Sequence, residues 1–188
     1  DGVCDDIDDC VGAFDECGIC NGDGIAEGTC DADSLNNCVQ DCAGVWGGSA
    51  EADDCGVCDG DNSSCILLWG VYYDIETTTS LYLFNSWLTG EIPPEIGNLT
   101  NLTILNLSSN QLTTLPESIG DLNSLSWLYL HYDQLTSLPE SIGDLSSLES
   151  LYLFSNQLTT LPESIGNLSS LENVNLPSNQ LTSIPQSI

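Results

Sequence analysis

The sequence contains no lysine and no arginine. Against that absence stand 29 Asp and Glu residues, which give the 188-residue chain a formal charge of −29 at pH 7. Natural chains ordinarily carry both signs. Nothing here can neutralise phosphates, which excludes nucleic acid as a partner and an anionic lipid surface with it. Cations are the natural counterpart, because charge of one sign opposes compaction and a bound metal relieves it. No apolar run reaches the roughly 18 residues that a membrane-crossing helix needs, so membrane insertion is not expected. Methionine is absent too. With no initiator residue, no leader, and ends that fall inside motifs, the sequence reads as a mature fragment of something longer. Histidine occurs once, as His131. A nucleophile–base pair would have to use it, yet the nearest orienting acid, Asp133, occupies a structural position in the repeats described below. No catalytic constellation is present, and neither an enzyme nor an organic cofactor is expected.

Cysteine is missing from everything beyond Cys65. The ten cysteines are Cys4, Cys10, Cys17, Cys20, Cys30, Cys38, Cys42, Cys55, Cys58 and Cys65. An even count at that density predicts a disulfide framework, and hence an oxidising, extracellular or cell-surface setting. Two sub-repeats align. Asp9-Cys10 through Cys17-Gly18-Ile19-Cys20 to Cys30 matches Asp41-Cys42 through Cys55-Gly56-Val57-Cys58 to Cys65. Within each we favour first with third and second with fourth, among the three connectivities that four cysteines allow. Cys4 and Cys38 fall outside this scheme and can pair with each other. Zinc on the CxxC pairs is the sharper alternative, but no histidine lies nearby. A redox-active CxxC is disfavoured, because the surrounding negative charge raises thiol pKa values.

The rest of the chain is repetitive. Leu102, Leu125, Leu148 and Leu171 open equivalent units 23 residues apart. Each unit reads L-x-x-L-x-L-x-x-N-x-L, as in Leu102-Leu105-Leu107-Asn110-Leu112 and Leu148-Leu151-Leu153-Asn156-Leu158. The second half reads LPESIGDL or LPESIGNL, and an earlier unit with one extra residue reads LTGEIPPEIGNL. Alternate leucines give a short strand with one buried face. Asn110, Asn156 and Asn179 are expected to stack inside the turn and satisfy backbone groups there. Asp133 and Ser86 replace Asn in two units and should weaken the ladder locally. Pro116, Pro139 and Pro162 suit the first turn of a short helical segment. Gly120, Gly143 and Gly166 suit its exit.

These motifs resemble the leucine-rich-repeat family over roughly residues 66–188, with the LTGEIPPEIGNL unit similar to the plant-type subclass. The resemblance implies a solenoid, with short parallel β-strands on a concave face and loops with short helical turns on the convex side. Segment 66–80, with Leu68-Trp69-Gly70-Val71-Tyr72-Tyr73, resembles the lead-in that caps such repeats. The repeats themselves occupy 81–188, in units near 78–101, 102–124, 125–147, 148–170 and 171–188. Leu181, Ile184 and Ile188 are expected on an open edge. Segment 1–65 resembles thrombospondin type 3 repeats and the Asp- and Cys-rich repeats of secreted surface proteins of marine bacteria. That implies a disulfide-rich, irregular segment loaded with calcium. Closely spaced oxygens suit that ion, which takes six to eight. Candidate ligands are Asp1, Asp5, Asp8, Asn21, Asp23, Glu27, Asp59 and Asp61, although no complete loop ending in a bidentate Glu is present.

Strand alternation also identifies the outward residues. Tyr82, Phe84, Ile104, Asn106, Ser108, Trp127, Tyr129, His131, Ser150, Tyr152, Phe154, Asn173, Asn175 and Pro177 should face outward. Tyr129 should stack on Tyr152 and His131 on Phe154, with Tyr132 at the strand exit. An aromatic patch without positive charge marks a contact surface for a glycan, a protein or a second copy. N-glycosylation sequons occur at Asn62, Asn98, Asn101, Asn106 and Asn167. Two functions follow. The first is a structural subunit of a secreted or cell-surface filament, assembled head to tail as a homopolymer. The second is a recognition or adhesion module that binds an extracellular glycan or protein on its aromatic concave face.

Overall fold

The structure is a computed structural model that describes residues 42–43 and 50–186. The chain divides into two units, Asp1–Asn62 and Ser63–Ile188.

In the first unit, Cys42 is disulfide-bonded to Cys58, with Cα atoms 5.3 Å apart. This is the first-with-third pairing expected for the second sub-repeat. Cys55 and Cys65 are also in disulfides, so Cys55 and Cys58 are not zinc thiolates. Cys4, Cys10, Cys17, Cys20, Cys30 and Cys38 lie outside the described residues. Between the bridged cysteines, Asp53 organises a tight loop. Its Oδ1 accepts the N–H groups of Val57 at 2.8 Å and Cys55 at 2.9 Å, and its Oδ2 accepts that of Asn62 at 2.9 Å. Desolvation raises the Asp53 carboxyl, but donation from Val57, Asn62 and Cys55 outweighs it, and the group sits below the usual carboxylate range.

The second unit opens with a hairpin. Strand β1 (Cys65–Leu68) pairs antiparallel with β2 (Val71–Asp74). The connection is Trp69-Gly70, both at positive φ (47° and 84°), as a two-residue turn of this hand requires. Ile66 and Leu68 join the hydrophobic core, while Leu67, Val71 and Tyr72 face solvent.

The repeats then build a parallel sheet. β3 (Ser80–Tyr82), β5 (Ile104–Asn106), β7 (Trp127–Tyr129), β8 (Ser150–Tyr152) and β9 (Asn173–Asn175) lie side by side in chain order. Leu81, Leu105, Leu128, Leu151 and Val174 are in register. Leu105, Leu128 and Leu151 are fully buried, and each such side chain stabilises the fold by about 2 kcal/mol. β4 (Thr89–Glu91) and β6 (Gln111–Thr114) form a smaller parallel pair beside the first two units. In the last unit Leu181 is only partly buried and Ile184 is exposed; Ile188 lies outside the described residues.

Asparagines staple neighbouring repeats. Asn110 Oδ1 accepts the N–H groups of Ser86 and Leu88, and its Nδ2 donates to the carbonyls of Leu83 and Leu107. Asn156 repeats this with Leu135, Leu130 and Leu153, and Asn179 with Leu158, Leu153 and Leu176. Ser86 Oγ donates only within its own turn, to the Phe84 carbonyl.

The opposite side carries 3-10 helices at Pro94–Asn98, Glu117–Asp121, Glu140–Asp144 and Glu163–Asn167. Two expectations change here. Pro116, Pro139 and Pro162 precede these helices in extended backbone instead of forming their first turn. Gly120 and Gly143 lie inside the helices, not at their exits, and are buried. The reason is proximity. A Cβ on Gly120 would meet the Ser141 carbonyl oxygen at 2.7 Å and the Ser141 Cβ at 2.8 Å, both on the next repeat. Among the described residues, no helix is long and apolar enough to cross a membrane.

Candidate functional site

The outward face of the parallel sheet carries an aromatic cluster on two adjacent repeats, with Tyr82 on the far side of the intervening Asn106. In β7, Leu128 points into the core, so Trp127 and Tyr129 point away from it. Register then places Tyr152 beside Tyr129. The two rings stack at a centroid distance of 4.8 Å and an interplanar angle of 10°. Two positions beyond the strands, His131 stacks on Phe154 at 4.4 Å and 14°. Tyr132 packs edge-on against Phe154 at 5.1 Å and against His131 at 5.7 Å. Both stacked pairs were expected from repeat equivalence. Tyr82, Phe84, Trp127 and Tyr132 are exposed, and Tyr129, His131, Tyr152 and Phe154 are half-buried by one another.

Not every expected face residue is accessible. Ser108 and Ser150 occupy the same columns but are buried. Ser150 lies in register between Trp127 and Asn173, and the Asn173 amide donates to its hydroxyl. The Ser108 hydroxyl donates to Asn106 Oδ1 at 2.7 Å. A serine among longer neighbours sinks beneath them. The same contact ties the Asn106 sequon to its own backbone turn. Asn101 is also engaged, donating to the Glu76 carbonyl. Asn62, Asn98 and Asn167 are exposed.

The centre of the patch departs from its own repeat. Where neighbouring units read Ser108-Ser109-Asn110, Phe154-Ser155-Asn156 and Pro177-Ser178-Asn179, this one reads His131-Tyr132-Asp133. The middle position has positive φ in each unit. Tyr132 adopts φ 58° there, where a bulky side chain is disfavoured. Asp133 fills the buried ladder position at 7% exposure. Its Oδ1 accepts the Leu112 N–H at 3.0 Å, but its Oδ2 is buried without a hydrogen-bond partner. Burial pushes the carboxyl up to about 6, against the opposing donation from Leu112 and Asn110. His131 Nδ1 is likewise buried without a partner, and burial lowers the imidazole pKa below 6.5. Burial raises Tyr129 as well, helped by Tyr152 and Tyr82.

Trp87 was not anticipated. It is 79% exposed, at the position that Gln111 holds in the next unit. Its unit has an irregular exit with Asn85 and Trp87 both at positive φ, so strand alternation alone does not reach it.

The calcium candidates that can be placed are Asp59 and Asp61, both exposed. Among the described residues, no group of three or more His, Cys, Asp or Glu side chains converges to hold a metal. Asp1, Asp5, Asp8, Asn21, Asp23 and Glu27 lie outside the described residues.

Comparison with known proteins supports the architecture. Residues 81–157 match the leucine-rich repeat region family, and residues 147–168 match the Leucine Rich Repeat family. No curated protein matches the chain. Among solved structures, a Leptospira interrogans LRR protein is 35% identical over 59% of this chain and 34% of its own, with a TM-score of 0.50. The BIR2 ectodomain from Arabidopsis thaliana is 25% identical over 66% of each chain, with a TM-score of 0.53. A chain of the BIR3–SERK2 complex from Arabidopsis thaliana is 27% identical over 67% of this chain and 68% of that one, at 0.53. The chain thus spans about a third of the Leptospira protein. Spacing, register, asparagine ladder and family matches converge, and the unit that carries the aromatic face has the leucine-rich-repeat fold.

Proposed function

We propose that this chain is a non-catalytic extracellular recognition module that binds a protein partner on the aromatic face of its solenoid. One observation carries this reading. Three consecutive residues that break the repeat pattern, His131, Tyr132 and Asp133, fall at the patch, and all three sit in locally unfavourable environments. Local rules are broken at functional sites more than elsewhere. Clustered aromatic residues are also the side chains that carry binding energy at protein interfaces. The BIR3–SERK2 neighbour is named as a complex of two proteins, and the BIR2 neighbour as an ectodomain. The Cys42–Cys58 disulfide fits the same oxidising setting. Recognition therefore stands ahead of the filament subunit, and a protein ahead of a glycan.

Selection of a displayed peptide library on the immobilised protein tests this. Selected peptides should lose about 2 kcal/mol or more of binding, roughly 30-fold, when Trp127 and Tyr152 are replaced by Ala. The thermal midpoint should stay near that of the parent, since neither side chain enters the core. Peptides that bind the double variant as well as the parent would place recognition elsewhere.

For the 1–65 segment we infer calcium binding from its Asp- and Asn-rich pattern, with Asp1, Asp5, Asp8, Asn21, Asp23, Glu27, Asp59 and Asp61 as oxygen donors. Calorimetric titration of calcium into chelator-treated protein should give saturable heat. A flat titration removes the ion from this account.

A further inference from the structure

The aromatic face lies in a chain that has no cation to offer it. Glu149 and Glu172 occupy equivalent positions on adjacent units, with the Glu172 N–H donating to the Glu149 carbonyl, and both are exposed. They immediately precede Ser150 and Asn173, which are in register with Trp127 on the face. Two acids therefore stand side by side at the Trp127 end of the face. Like charges on neighbouring strands destabilise each other, and no Lys or Arg of this chain can separate them. The rings themselves present electron-rich faces, which attract guanidinium and ammonium groups.

We propose that the occupant of this face is an extended, arginine-bearing segment of a partner protein. Its guanidinium groups lie on the exposed rings of Trp127 and Tyr132 and on half-buried Phe154, and those at the Trp127 end pair with Glu149 and Glu172. Arginine suits the site because its planar cation both stacks on rings and pairs with carboxylates. An acidic segment would be repelled by the whole chain. The inference rests on the recognition reading and adds the chemistry of the partner to it.

Three synthetic peptides of one length test the idea against the intact chain at physiological salt, by fluorescence anisotropy. One carries Arg and Gly, one replaces each Arg by Gln, and one replaces each Arg by Glu. The Arg peptide should bind at least tenfold more tightly than the Gln peptide, and the Glu peptide should not bind. Attraction to net charge alone would mimic this result, so the decisive variants leave the charge unchanged. Tyr132→Ser installs the residue that neighbouring repeats carry, and Phe154→Leu keeps an apolar side chain. Each should weaken the Arg peptide roughly tenfold, and Glu149→Gln with Glu172→Gln should flatten its salt dependence. Unchanged binding of the Arg peptide to Tyr132→Ser and Phe154→Leu would reduce the effect to bulk charge and overturn the proposal. So would failure of the Arg peptide to bind the parent. Tighter binding of the Gln peptide, lost in the same variants, would overturn the cationic partner yet leave recognition by this face standing.

Discussion

Asp133→Asn should raise the thermal midpoint of the chain at pH 7 by about 5–10 °C, the equivalent of about 3 kcal/mol. The ladder supplies the reason. Asn110 donates through Nδ2 to the carbonyls of Leu83 and Leu107, and Asn156 to those of Leu130 and Leu153. By repeat equivalence, an asparagine at 133 donates to Leu107 and Leu130. The aspartate has no N–H to give, and its Oδ2 is buried without a partner. An ionised carboxylate there keeps the Leu112 donor on Oδ1 but is buried from water with Oδ2 unpartnered, and this desolvation pushes its pKa up to about 6 from 3.8. A shift of that size is worth about 3 kcal/mol at neutral pH. Differential scanning calorimetry of the two proteins checks it. A midpoint equal to the parent's would mean that Asp133 is solvated or paired in solution.

The same group sets a pH signature. Its folded pKa is raised, so its favourable contribution is complete below about pH 4 and is lost as pH rises through about 6. His131 works the other way. Its folded pKa is lowered, so its contribution is complete above its ordinary 6.5 and is lost as pH falls below that value. Acid also relieves the self-repulsion of the 29 carboxylates. Both of these effects are shared by Asp133→Asn. The difference between parent and variant therefore isolates Asp133, and should shrink from about 3 kcal/mol at pH 7 towards zero by about pH 4.

Much of this architecture is legible from spacing. Leucines at fixed intervals set the strand register, and register alone puts Tyr129 on Tyr152 and His131 on Phe154. The single extra residue in the first unit is visible as the 24-residue step from Ser80 to Ile104. Side-chain identity within one strand is a less complete guide. Whether Ser108 and Ser150 reach solvent depends on the length of neighbours on adjacent repeats, which no single unit reveals. Asp133 reads as a weakened rung, but its unpartnered oxygen follows only once the carbonyls around it are placed. Asp53 was invisible as an organising group, because the N–H groups it gathers come from Cys55, Val57 and Asn62, and backbone donors leave no mark in sequence. The calcium pattern is legible as chemistry, yet six of its eight candidate ligands fall outside the described residues.

The glycine column shows the same limit most sharply, and it yields the other large effect. Gly120 and Gly143 read as helix exits, since glycine commonly ends a helix. In the structure they lie within 3-10 helices, with the serine of the next repeat pressed against them. At Gly143 an added Cβ would overlap the Ser164 carbonyl oxygen and stand 2.7 Å from the Ser164 Cβ. Most of what it meets is backbone, so no rotamer change relieves the clash. The helix Glu140–Asp144 must instead move away from Glu163–Asn167. Overpacking of this kind costs about 2–3 kcal/mol. Because each repeat is held mainly by its neighbours, the loss falls on one interface. Gly143→Ala should therefore lower the urea midpoint and speed amide exchange at Ile165, which closes the 3-10 turn from Pro162. Leu81 and Leu105, two units and one unit before the unit that holds Gly143, should keep their protection. Gly166, in the same motif but exposed, supplies the comparison, and its Ala variant should stay within about 1 kcal/mol of the parent. Equal effects at 143 and 166 would show that helix propensity governs this column. A loss confined to 143 assigns it to the close approach of neighbouring repeats.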